Sequence, residues 1–262
     1  MNLGIEGKRA LVLGGNKGLG RGVAARLAAE GAVVAAVGRD AAALETTAAE
    51  LRGVSPSSFG ILADLENPTD VAAMFERIDL EWGGVDILLL NGGGPPPFGA
   101  GETDSARWHR QFDALFLTGL GIAAHVLPGM RARHWGRILV VSSTSVREPI
   151  RGLTASNALR AAVAGWAKSL ANEVAADGVT VNLLLAGRLD TERTKVLDRL
   201  DAEARGVDAE AIAAESQAEV PIGRYGTADE FGAVAAFLAS DLASYVTGAA
   251  IPIDGGLARA IL

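Results

Sequence analysis

The chain has 262 residues, 49% of them hydrophobic, and no low-complexity segment, which suits one domain with a sizeable core. Its net charge is −7 and its basic residues are scattered, which argues against nucleic acid and leaves small molecules as the better partners. The lack of cysteine excludes disulfides and thiolate chemistry, and His109, His125 and His134 lie at no ligand spacing, so no metal is expected.

No long apolar run opens the chain. The longest apolar stretch, about 114–127, is interrupted by Thr118 and His125 and is too short to span a bilayer, so a cytoplasmic address without membrane contact is expected. Residues 10–13 read as a buried strand and 18–30 as a helix stopped by Gly31. A second strand at 33–37 leads to a helix from Asp40 to about residue 51, and a third at 59–62 ends near Asp64. A helix at 67–81 and a strand at 85–90 precede a Gly/Pro loop, 92–101, whose composition suits the mouth of a site. One long helix is expected over 105–133, a strand over 137–142, a helix over 154–176 and a strand over 179–184. Residues 188–219 form a charged, alanine-rich helical insertion, followed by a helix at 229–239 and a last strand at 249–253. The alternation implies an α/β fold: one doubly wound domain over residues 1–262, a seven-stranded parallel sheet with helices on both faces.

Between the first strand and helix lies Gly14-Gly15-Asn16-Lys17-Gly18-Leu19-Gly20, where backbone N–H groups and a helix N-terminus can receive a pyrophosphate. The spacing Gly14, Gly18, Gly20 differs from G-x-G-x-x-G. Arg39 stands after the second strand, where an NAD-specific protein offers a carboxylate, and Lys17 sits in the loop. The pair favours a 2′-phosphate, hence NADP(H) over NAD(H), although Asp40 is adjacent.

The glycine spacing, Asp64-Leu65, Leu90-Asn91-Gly92-Gly93 and the end from Tyr245 to Gly256 together resemble the short-chain dehydrogenase/reductase family over nearly the whole chain. The resemblance implies cofactor contacts from Gly14, Asn16, Lys17, Gly18, Leu19, Gly20, Arg39, Asp64, Leu65, Asn91, Gly93, Arg160 and Thr191. For Asn91 a turn-forming role that ties strand ends together is an equal alternative. The family pairs a serine with Tyr-x-x-x-Lys and a supporting asparagine. Here Ser143 keeps the serine, Ser156 and Arg160 stand for the tyrosine and lysine, and Leu115 stands for the asparagine. A register pairing Leu153 with Asn157 shortens the preceding loop by three residues and is less favoured. The only tyrosines, Tyr225 and Tyr245, lie elsewhere in the sequence.

A phenol with a pKa near ~10 can share its proton at neutral pH, whereas an aliphatic hydroxyl hardly can. Ser156 can orient a substrate, and Arg160 can bind ribose and stabilise a developing alkoxide. Ser143, Ser156 and Arg160 are therefore the expected catalytic residues, with Glu148, Asp190 or a water as proton source. Losing a positioned general acid costs about 10²–10⁴ in rate, so hydride transfer is slowed rather than forbidden. The expectation is a 3-oxoacyl-carrier-protein-reductase-like oxidoreductase of a divergent subgroup, acting on a carbonyl, an acyl thioester or a secondary alcohol. The insertion would cover the substrate. The alternatives are a nucleotide-binding sensor or scaffold without turnover, and a non-redox lyase or isomerase. Apolar faces on the helix after Thr154, used by the family's tetramers, imply a homotetramer or homodimer, with Trp166 and Phe116 in core or interface.

Overall fold

Seven runs of apolar residues become the strands β1 (Arg9–Val12), β2 (Val33–Gly38), β3 (Phe59–Leu62), β4 (Ile87–Leu90), β5 (Gly136–Ser143), β6 (Val179–Ala186) and β7 (Ala250–Ile253). The computed structural model describes residues 2–260; Met1, Ile261 and Leu262, the ends of the expected 1–262 domain, lie outside the described residues. All pairings are parallel, in the order β3-β2-β1-β4-β5-β6-β7. Strand order reverses between β1 and β4, where Ala10 faces Val34 on one side and Ile87 on the other. A crevice at the carboxyl ends of these two strands is where such sheets bind ligands.

Helices α1 (Gly18–Ala29), α2 (Ala41–Val54) and α9 (Ala228–Leu238) cover one face, joined in a core with Val23, Leu27, Leu44 and Phe231. On the other face lie α3 (Pro68–Trp82), α5 (Thr118–Ala132) and α6 (Thr154–Val174), burying Met74, Ile122, Met130 and Ala171. Side chains set the helix starts: Asp40 accepts from the Ala43 N–H, Asn67 from Thr69, and Thr227 and Glu230 bond reciprocally. Gly83, with φ of 63°, ends α3 in the left-handed region that a side chain disfavours. α1 and α9 cross at Gly22 and Gly232, where a β-carbon on either residue would collide with backbone of the other helix.

Several boundaries depart from expectation. β5 and β6 run on to Ser143 and Ala186, because their ladder continues past the apolar run. β4 starts later, since the Asp86 carboxylate takes the Arg9 N–H and binds its guanidinium at 2.7 Å. Burial alone would raise the pKa of Asp86, but the bonds from Arg9 and the charge of Arg133 hold it below the usual carboxylate range. The expected long helix is α4 (Ser105–Phe112) joined to α5 by a π turn, Asp113–Leu117. The run Ser105–Ala132 is 28 residues, so it exceeds the apolar stretch read from sequence and is long and apolar enough, by length and composition, to cross a membrane. Here Ile122, Ala123, Val126 and Met130 pack it on the sheet. The insertion holds α7 (Glu192–Arg205) and α8 (Ala209–Glu219).

Candidate functional site

The carboxyl ends of β1 and β4 meet at the glycine loop. Gly14 (φ 59°) and Gly18 (φ 53°) take backbone conformations that L side chains resist, and a β-carbon on Gly20 would collide with the Gly14 carbonyl. α1 can therefore start hard against β1. Lys17, the residue preceding α1, makes no side-chain cap, so the first-turn N–H groups of Gly18, Leu19 and Gly20 receive no capping side chain. Asn16 is buried: its carbonyl accepts the Thr47 hydroxyl and its side chain lies against Gly38.

Lys17 and Arg39 are both exposed, and neither is ion-paired among the described residues. Asp40 caps α2, its carboxylate accepting the Ala43 N–H. Asp64 turns its carboxylate to the Glu66 N–H, and Leu65 lines the cleft. The Asn91 amide donates to the Leu13 carbonyl at 3.2 Å and lies against Gly14 and Gly20. That is the strand-tying role offered as an alternative. A β-carbon on Gly93 would meet nothing within 4 Å, and Thr191, which caps α7, is the nearest group above Gly18.

Ser143, at the end of β5, accepts the Ser145 N–H at 3.1 Å. From α6, Arg160 donates Nε–H to Ser156 Oγ at 3.2 Å and an Nη1 hydrogen to the Val141 carbonyl at 3.1 Å. The i, i+4 spacing brings serine and arginine together on one helix face. Asn157 instead clamps the main chain of Ile150 and Leu153 starts the helix, so the Leu153 and Asn157 register carries a loop anchor. Burial, and then the charge of Arg193, push the Arg160 guanidinium down to about 10, still well above neutrality. It faces a cavity of about 50 Å³ floored by Leu90, Leu115, Phe116 and Trp166 and bounded by Asn91. Phe116 stacks on Phe112 and Trp166 packs on the core.

The replacement proton donors fare poorly. Glu148 is corrected to a tail anchor, its Oε1 accepting the N–H groups of Arg259 and Ala260. Asp190 is solvated and lies 3.5 Å from Lys195. The Tyr225 hydroxyl donates to Asp198, and burial raises its pKa further; Tyr245 is fully exposed beside Val179, at the opposite end of the sheet from Ser143. Sequence reasoning missed Arg193, whose Nη2 donates to the Pro95 carbonyl at 3.0 Å and whose guanidinium lies over Gly94. Two residues after Thr191, an arginine was the signal available.

A family model for enoyl-(acyl carrier protein) reductase matches residues 14–258. The chain is 31% identical over 255 residues to 3-oxoacyl-[acyl-carrier-protein] reductase of Pseudomonas aeruginosa, covering 97% of this chain and 99% of the relative. It is 34% identical over 278 residues to cyclohexanol dehydrogenase of Rhodococcus sp., covering 98% of each. The structure of L-sorbose reductase from Gluconobacter frateurii complexed with NADPH and L-sorbose superposes with a TM-score of 0.93 at 29% identity, over 100% of both chains. With its parallel sheet, its glycine loop at the β1–β4 crevice and these full-length matches, the chain belongs to the short-chain dehydrogenase/reductase family.

Proposed function

We propose that this protein is an NADP(H)-binding oxidoreductase acting on a carbonyl or secondary alcohol, with Ser143, Ser156 and Arg160 where relatives carry serine, tyrosine and lysine. The observation that carries the reading is the anchored guanidinium of Arg160, fixed to Ser156 and Val141 in the cavity bounded by Asn91.

The residues fit the nucleotide. The first turn of α1 and the open space over Gly18 and Gly93 suit the pyrophosphate and the nicotinamide end, with Thr191 alongside. Lys17 and Arg39, free of carboxylates among the described residues, suit a 2′-phosphate, and the L-sorbose reductase structure holds NADPH. Asp64 and Leu65 flank the adenine side. Asn91 and Asn16 hold the loop in shape.

When bound, the nucleotide supplies or accepts the hydride. Arg160 holds ribose hydroxyls with the donors it does not spend on Ser156 and Val141, and its charge stabilises negative charge growing on the substrate oxygen. Ser143 and Ser156 orient that oxygen by hydrogen bonds. With Glu148 engaged by the tail, the Tyr225 hydroxyl bonded to Asp198 and Tyr245 at the opposite end of the sheet, the proton comes from water at the cleft mouth. The loop at 92–101 and the helices α7 and α8 cover the substrate. α6 presents Ala158, Ala161, Ala162 and Gly165 to solvent, a surface suited to a second copy and hence to a homotetramer or homodimer.

The engagement of Glu148 and Tyr225 also favours a second reading, a nucleotide-binding sensor without turnover. Titration with NADPH and NADH, followed by NADPH consumption across ketones and acyl thioesters, tests both. The proposal expects tight NADPH binding and slow turnover. Binding with no turnover on any substrate favours the sensor, and absence of nucleotide binding overturns both.

A further inference from the structure

A second cavity, of about 580 Å³, opens at the amino ends of β5 and β6. Arg137 and Thr180, paired in the β5–β6 register, line it, together with Trp135, Asp241, Ser244 and Tyr245. Ser143 ends the same strand, which at about 3.3 Å per residue puts the catalytic cleft roughly 20 Å away. The size is that of a small-molecule site, and none of its lining residues belongs to the nucleotide cleft.

The charges around this cavity answer one another. The buried Arg137 guanidinium donates to the carbonyls of Gly136 and Ser240, at 2.9 and 3.2 Å, and to the Asp241 carboxylate at 3.4 Å. The same carboxylate oxygen accepts the Trp135 indole N–H at 2.8 Å, and the Lys8 ammonium sits 4.0 Å from the Trp135 ring centre. A charged ligand therefore finds no unanswered charge to pair with.

Hydroxyls are what remain. The Thr180 Oγ1 is buried without a hydrogen-bond partner. Thr247, also in the lining, spends its oxygen on the Val181 N–H at 3.1 Å and keeps its own O–H to donate. Ser244 and Tyr245 stand exposed on the rim. A buried hydroxyl without a partner has given up water for nothing, so its burial is unfavourable until a ligand group pairs with it. Hydroxyls both donate and accept, and alcohols answer them in both directions, whereas a carboxylate only accepts and an ammonium only donates. The Tyr245 ring adds an apolar face at the entrance.

We infer that this cavity is a second ligand site, which takes a neutral, hydroxyl-rich ring compound: a sugar of one or two rings. Thr180 bonds a sugar hydroxyl in the interior, and Tyr245 packs on the C–H face of a ring at the rim. The assignment stands apart from the nucleotide reading, because the two clefts share no residue.

The test is calorimetric titration of the whole protein with methyl glucoside, methyl galactoside and maltose, and with benzoate, benzylamine and inorganic phosphate as charged probes. At least one sugar should bind saturably, and more tightly than any charged probe. Thr180→Val, which swaps the unpaired hydroxyl for a methyl of the same shape, should weaken that sugar about fivefold or more while keeping the thermal midpoint. Tyr245→Ala, at an exposed position, should weaken it too, and Ser143→Ala should leave it unchanged. No saturable sugar binding overturns the site, as does binding that both cavity variants leave intact. Displacement of the sugar by saturating NADPH puts it in the other cleft and overturns the assignment as well. A charged probe that binds tighter and is lost in Thr180→Val overturns the neutral ligand class. A marked fall of the thermal midpoint in Thr180→Val shows that the hydroxyl already has a partner, and removes the premise. NADPH affinity, read in the same samples, judges the nucleotide reading on its own: a protein that binds sugar but not NADPH loses that reading and keeps this site.

Discussion

The side-chain amide of Asn91, one residue past β4, donates to the carbonyl of Leu13, one residue past β1, and so ties together the two strands that flank the crevice. Because the same amide lies against Gly14 and Gly20, it also props the glycine loop. Asn91→Ala should cost about 1 kcal/mol of stability, the net worth of one hydrogen bond. It should also weaken NADPH binding by several-fold, as read by urea denaturation and fluorescence titration.

Two glycines of α1 separate loop shape from helix packing. In Gly20→Ala the new methyl meets the Gly14 carbonyl, and in Gly22→Ala it meets the Ala228 carbonyl of α9. Both variants should lose about 1–3 kcal/mol through overpacking. Only Gly20→Ala should lose measurable NADPH binding, because only that site reshapes the loop.

Arg160 gives opposite signs for stability and binding. Its guanidinium is held in a buried site without a carboxylate. Replacing a buried charge by an apolar side chain of similar length is often neutral or stabilising. Arg160→Met should therefore keep or raise the thermal midpoint. The same variant should weaken NADPH binding roughly tenfold to a hundredfold, the scale of a lost charged hydrogen bond. A variant that falls in stability and keeps its affinity would contradict the role given to Arg160.

Acid should release the start of α9. Arg224 and the backbone N–H of Thr227 hold the Glu230 carboxyl at a pKa of about 2. A carboxyl depressed in the fold adds stability above its unfolded pKa, near ~4.3, and loses it as pH falls toward the folded value. The stability gap between wild type and Glu230→Gln should be full at neutral pH and shrink between about pH 4 and 2. Urea midpoints across that range measure it. A gap independent of pH would assign the contribution to the cap geometry alone.

Much of the fold was legible because strands buried on both faces read as unbroken apolar runs, as in Ile87 to Leu90. Helix starts at Asp40, Asn67 and Thr227 declared themselves by capping chemistry. The register around Ser156 and Arg160 rests on the spacing to Ser143; the structure adds the hydrogen bond between the two side chains, one helical turn apart. The π turn at Asp113–Leu117 was not, since its sequence has the same apolar periodicity as an ordinary helix. Nor was the partnership of Arg193 with Pro95, 98 residues apart in the chain. The engagement of Glu148 was hidden for the same reason: its partners, Arg259 and Ala260, come from the far end of the chain.

That π turn brings Leu115 and Phe116 to the underside of the cavity. Hydrocarbon cannot relay hydrons, so any proton traffic through this cavity must pass by the polar members of its lining, Asn91, Thr118, Trp166 and Arg160.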